Sequence, residues 1–163
     1  MKDSHTISLL VADRPGVLVR IALTFARRGF NIDGLVVNRV PGSDLSRITL
    51  SSSGDPTRLE QIVQQLAKLV DVVRVMDHTG DSSIQIETGL VKVAVDDANR
   101  DTVWAAVREF RAEVLDERFG ALVVSVHGSS ERVSAFVRAI PQAAIREVVS
   151  SGKLLVARGM EPT

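Results

Sequence analysis

Hydrophobic positions along the chain switch repeatedly between the two-residue period of strands and the three-to-four-residue period of helices. Ile7, Leu9 and Val11 alternate with polar or small neighbours and predict a first strand. Asp13-Arg14-Pro15-Gly16 interrupts it. Val17, Leu18, Ile21, Ala22 and Phe25 then fall on one helical stripe, with Arg20, Thr24 and Arg28 elsewhere. Pro15 suits a first helical position and Gly29 the residue just past the end. Ile32 to Val40 is a β-rich run broken by Gly34, so Asn31 begins the second strand. Pro41-Gly42-Ser43-Asp44 is turn chemistry. Ile48 and Leu50 alternate as in a half-buried strand. Asp55-Pro56 reads as a helix cap followed by a first-turn proline. Leu59, Ile62, Val63, Leu66 and Val70 continue that second helix, and Val72 to Met76 closes the run as a strand.

The polar stretch Asp77 to Ser83 then separates this βαββαβ run from a second one. Leu90 to Val95 predicts a strand, and Val103, Trp104, Val107 and Phe110 a helix face. Val114 and Leu115 start a strand that turns at Gly120, and Leu122 to Val126 returns. Val133, Phe136, Val137 and Ile140 again take the helical spacing. Ile145 to Val149 and Leu154 to Val156 are short final strands. The fold class is therefore α+β, with two consecutive ferredoxin-like βαββαβ halves. Their expected limits are 1–77 and 84–163, with a linker at 78–83. Halves this small bury a modest fraction of their surface and leave sheet edges to be covered, which favours an oligomer.

Composition removes several function classes. Twenty basic residues offset twenty acidic ones in 163, so the chain has no electrostatic reason to seek nucleic acid or an anionic membrane. It contains no cysteine, which excludes disulfides and thiolate chemistry. No apolar run resembles a signal peptide or a membrane span, and the expected location is the cytoplasm. His5, His78 and His127 lack metal-ligand spacing. Glu109, Glu113, Asp116 and Glu117 read as solvated surface, and Arg27 and Arg28 as complements to a helix dipole. No phosphate-binding or nucleophile motif is present, so no catalytic residue is expected.

One loop has the makings of a binding site. Asp13-Arg14-Pro15-Gly16-Val17-Leu18 joins a strand to a helix, and free N–H groups at a helix start attract a carboxylate. Gly16 lets a ligand approach the backbone. Asp13 can accept from an ammonium group, and a βαβ crossover can bring Asn31 nearby with a donor and an acceptor. Val17, Leu18 and Ile32 can wall an apolar side chain. Such a set clamps an amino acid. On spacing alone the simpler account has Asp13 capping a helix and Asn31 capping a turn.

Resemblance adds to this reading. Asp13-Arg14-Pro15-Gly16-Val17-Leu18 resembles the signature loop of amino-acid-binding ACT domains. Arg28-Gly29-Phe30-Asn31-Ile32-Asp33, Leu45-Ser46-Arg47-Ile48-Thr49, Gly54-Asp55, Leu59-Glu60-Gln61-Ile62 and Gln65 to Val75 resemble the acetolactate (acetohydroxyacid) synthase small subunit in order and gaps. In the second half Leu90-Val91-Lys92-Val93 matches more loosely. The resemblance implies an ACT domain followed by an ACT-like one, a homodimer through the ACT domains, and a non-catalytic regulatory subunit. It further implies a large catalytic subunit as partner, which carries thiamine diphosphate, magnesium and FAD, while this chain carries no cofactor. The small subunit activates that partner and confers feedback inhibition by a branched-chain amino acid, usually valine. The effector positions implied are Asp13, Gly16, Val17, Leu18, Asn31 and Ile32. Two positions depart from the family pattern. Asp13 stands where asparagine is common, and Ile86-Glu87 stands where Arg-Glu is usual.

An amino-acid-binding module acting on another enzyme shares the loop but needs no thiamine-dependent partner. A ligand-responsive transcription regulator needs a basic recognition helix, for which two such halves leave no room.

Overall fold

A computed structural model describes residues 4–80, 83–160 and 162–163. The chain divides into two compact units, one built from the run ending at Ile84 together with Gly152–Thr163, the other from Gln85–Ser151.

In the first unit the element order is β1 (Ser4–Ala12), α1 (Val17–Arg27), β2 (Gly34–Arg39), β3 (Leu45–Ser53), α2 (Pro56–Leu66) and β4 (Val72–Asp77). The strands form an antiparallel sheet in the order β2-β3-β1-β4. Ile7, Leu9 and Val11 point from β1 to the helices and are buried with Ile48 and Leu50 of β3. Val17, Ile21 and Phe25 of α1 and Leu59, Ile62 and Leu66 of α2 close the core from above. Each such side chain, fully buried, contributes about 1.5–3 kcal/mol. At the start of α2 the Asp55 carboxylate accepts from Thr57 N at 2.8 Å and Arg58 N at 3.2 Å, with Pro56 following it, as the sequence predicts.

Two local expectations change. Pro15 does not open α1; Gly16 is its N-cap residue, at φ 86°, because the chain turns once more through an Arg14 carbonyl to Val17 N–H bond. Asn31 does not begin β2, which starts at Gly34. Residues 31 to 33 form a side-chain-braced turn instead. Asn31 Nδ2 donates to Asp33 Oδ1 at 3.1 Å, Ser53 Oγ donates to Asp33 Oδ2 at 2.6 Å, and Ser52 Oγ donates to the Asn31 carbonyl at 2.7 Å. Asn and Asp side chains bonding locally in this way displace strand pairing.

The other face of β1 carries Thr6 and Ser8, both buried. The segment Gly152–Thr163 belongs with this unit, and includes a short strand-like stretch, Leu154–Val156. Lys153 Nζ donates to Thr6 Oγ1 at 3.2 Å, and Arg74 Nη1 donates to the Pro162 carbonyl at 2.9 Å. A Cβ added to Gly152 would lie 2.8 Å from Val36 Cγ2. The expected second domain runs from 84 to 163, and within it residues Gly152–Thr163 group with the first unit. A tail of three apolar residues between glycines carries no periodicity that would announce its partner.

The second unit repeats the order with β5 (Ile84–Ala94), α3 (Arg100–Glu109), β6 (Glu113–Arg118), β7 (Ala121–Gly128), α4 (Ser130–Ala139) and β8 (Ile145–Ser150). Its strands run β6-β7-β5-β8, all antiparallel. Val91, Val93, Leu122, Val124 and Val126 meet Val103, Val107, Val133 and Phe136 in its core. The Phe136 ring stands edge-on to Phe110, with centroids 5.6 Å apart, a favoured aromatic geometry. The linker expected at 78–83 lies between β4 and β5, and residues 81 and 82 fall outside the described ones.

Candidate functional site

The loop from Asp13 to Gly16 leaves the end of β1 and turns into α1. No side chain caps this helix, and its first turn has no acidic residue. The first backbone bonds at its start run from Val17 N–H to the Arg14 carbonyl and from Arg20 N–H to the Gly16 carbonyl. The N–H groups of Leu18 and Val19 therefore face out of the helix start, where the positive end of the dipole lies. Gly16 is exposed, and its left-handed backbone opens the approach to those groups.

The predicted residues divide in what they contribute. Val17 is 4 % exposed and faces the core, so it offers a ligand its backbone and not an apolar wall. Ile32 is half-buried against the same core. Leu18, at 39 % exposure, is the one of these predicted residues whose apolar side chain is available beside the loop. Asp13 is already engaged. Arg39 Nε and Ser46 Oγ both donate to its carboxylate, the latter at 3.2 Å, and its N–H donates to the Asp44 carbonyl at 2.9 Å. Arg39 and Ser46 face one another across the β2–β3 register, so a single rung of the sheet supplies both donors. Neither residue is conspicuous in the sequence, because they lie 26 and 33 residues from Asp13 in chain order.

Asn31 lies elsewhere in the same chain. It follows α1, whose 11 residues span about 16 Å, and it precedes the Gly34 end of β2, which pairs with Ser51. The loop at Asp13 adjoins the opposite end of that strand, at Arg39. The crossover therefore does not bring Asn31 beside the loop within one chain, since a helix separates the two. Arg20, one turn into α1, is held by Asp71 across an ion pair.

Two of the three histidines are structural, and His127 is exposed. His5 and His78 are both buried. The His5 ring bonds Thr79 Oγ1 and the Gly54 carbonyl, each at 3.1 Å, and His78 Nε2 bonds Ser8 Oγ at 2.7 Å. Among the described residues no three His, Asp or Glu side chains cluster as a metal site, and no helix is long and apolar enough to cross a membrane.

The model of the AHAS small subunit-like ACT domain matches residues 7–74, and that of the small subunit of acetolactate synthase matches residues 86–159. The chain is 40 % identical over 156 residues to the acetolactate synthase small subunit of Mycobacterium leprae, covering 96 % of this chain and 92 % of that one. It is 37 % identical over 155 residues to the probable acetolactate synthase small subunit of Archaeoglobus fulgidus, with 95 % and 97 % covered. The crystal structure of the acetolactate synthase small subunit from Thermotoga maritima superposes with a TM-score of 0.83 at 32 % identity, covering 96 % of this chain and 98 % of that one. With both halves matched in order and nearly the full length aligned, the chain belongs to the family of acetolactate synthase small subunits, regulatory chains that open with an ACT domain.

Proposed function

We propose that this chain binds a branched-chain amino acid, valine first among the candidates, at the start of α1, and passes its presence to a catalytic large subunit. In the cytoplasm it would raise that subunit's acetolactate synthesis and confer feedback inhibition. Thiamine diphosphate, magnesium and FAD would belong to the catalytic partner. The observation that carries the reading is the uncapped helix start beside exposed Gly16, in a chain whose family regulates this synthesis. The effector's carboxylate would accept from the Leu18 and Val19 N–H groups, and Leu18 would meet its side chain.

The effector site would be shared between two copies of the chain. β2 is an edge strand, and it exposes Leu35 and Val37, an edge suited to pairing. A two-fold axis normal to the sheet runs two such strands antiparallel. The Arg39 end of one then meets the Gly34 end of the other, and the partner's Asn31 approaches the Asp13–Leu18 loop. Its amide would hold the effector's ammonium and carboxylate.

The test is to add the purified chain to its cognate large subunit and follow acetolactate formation with and without valine, leucine and isoleucine. Stimulation reversed by one of the three is the expected result. No change of rate, with or without amino acid, refutes the reading. Sharing is tested by mixing Gly16→Asp and Asn31→Ala chains. Each mixed dimer of a shared site keeps one intact site and recovers binding that neither parent has. Without recovery, the site lies within one chain.

A further inference from the structure

We propose that Arg39 is a positioning residue for the effector. It holds the Asp13 carboxylate against the end of β2 and β3, and so keeps it from competing with the effector's own carboxylate for the start of α1. This rests on the amino-acid reading above.

Asp13 is the acidic residue of the loop, three positions before the N-cap residue Gly16. A carboxylate so placed can do one of two things. It can turn to the helix start and occupy the N–H groups there, as acidic caps do, or it can turn away. The structure has it turned away: no side chain accepts from the start of α1, and both Asp13 oxygens are spoken for by Arg39 and Ser46. Ser46 contributes one neutral hydroxyl. The guanidinium contributes the charge, and so decides whether a second anion can be brought close.

In the single chain the Arg39 side chain is 81 % exposed and that of Asp13 is 29 %. A pair this open adds little to stability. Its effect is on the local field: with Arg39 present the Asp13 carboxylate is paired, and without it that carboxylate keeps only the neutral Ser46 hydroxyl and faces the incoming one. Like charges brought together in this way weaken association, and salt relieves the penalty. A structural role would show in thermal melting, whereas this role shows in affinity and its salt dependence.

The experiment is calorimetry of the full-length chain with L-valine, L-leucine and L-isoleucine at low and high ionic strength, beside thermal melts. Arg39→Gln is expected to melt like the parent and to bind the preferred amino acid about tenfold more weakly at low salt, with part of the loss recovered at high salt, where the screening length drops to about 3 Å. Arg39→Lys, which keeps the charge, stays within a few-fold of the parent. The double variant Asp13→Asn, Arg39→Gln regains most of the lost affinity. Equal affinity of parent and Arg39→Gln overturns the proposal, as does a double variant no better than Arg39→Gln. If the parent chain binds none of the three amino acids, the amino-acid reading falls and this inference falls with it. If the parent binds and Arg39→Gln binds equally, this inference alone falls.

Discussion

Replacing Gly16 separates backbone strain from ligand electrostatics, and the structure supplies both magnitudes. Gly16 sits at φ 86°, where a Cβ costs about 1–2 kcal/mol. The added Cβ would lie 3.5 Å from Arg20 Nη1, an ordinary contact, so no clash adds to that cost. Gly16→Ala should therefore lower the melting temperature by about 2–8 °C, taking about 2–4 °C per kcal/mol for a chain of this size. Gly16→Asp pays the same strain and also sets an anion where the effector's carboxylate should meet the Leu18 and Val19 N–H groups. Losing a charge-assisted hydrogen bond costs about 1.5–3 kcal/mol, or about 10–150-fold in affinity. Arg20 lies close enough to draw the new carboxylate aside, but it is engaged by Asp71, which limits that relief. Thermal melts of both variants and calorimetry with valine, leucine and isoleucine measure the two effects separately. Equal affinities for Gly16→Ala and Gly16→Asp would show that no carboxylate binds at the start of α1.

The packing of the tail can be read from two glycines of nearly equal φ. Gly152 and Gly42 sit at 73° and 72°, but a Cβ on Gly152 meets Val36 Cγ2 at 2.8 Å while one on Gly42 meets nothing within 4 Å. Gly152→Ala should lower the melting temperature more than Gly42→Ala, and equal losses would contradict docking of the tail on β2. In the second unit, Glu147 beside Lys92 raises the lysine's pKa, and Lys92 lowers that of Glu147, through a 2.8 Å hydrogen bond and their mutual charge. The lysine's contribution is present below its ordinary value and lost as pH rises through the raised one. The glutamate's is present above its ordinary value and lost as pH falls through the lowered one. Both side chains are about half exposed, at 47 % and 55 %, so Glu147→Gln at neutral pH should leave the melting curve nearly where it is, and a clear downward shift would show that the pair matters more than its exposure allows.

The elements were legible because each carries its own period. Ile7, Leu9 and Val11 could only be a strand with one buried face, and Val133, Phe136 and Val137 only a helix with one. Asp55-Pro56 announced its helix because capping is local chemistry. What failed was what depends on distant partners. Asn31 looked like the first residue of a strand because Ile32 follows it; the serines that brace it and Asp33, Ser52 and Ser53 respectively, come from β3. Asp13 looked free to receive an ammonium group, and nothing in its neighbourhood in the sequence pointed to Arg39. The loop itself was recognisable because glycine before a helix serves the same purpose wherever the backbone must stay open.

The tail makes the first unit discontinuous in chain order. A ribosome delivers β1 to β4 first, and the residues that bond Thr6 and Arg74 and abut Val36 emerge only after the second unit. The first unit therefore lacks its tail until the whole second unit has been made. Gene fragments cut at the linker inherit that gap. A fragment ending near residue 80 is a first unit without its closing segment, and the simplest repair is to graft residues 152–163 back through a short loop, as a circularly permuted domain would carry them.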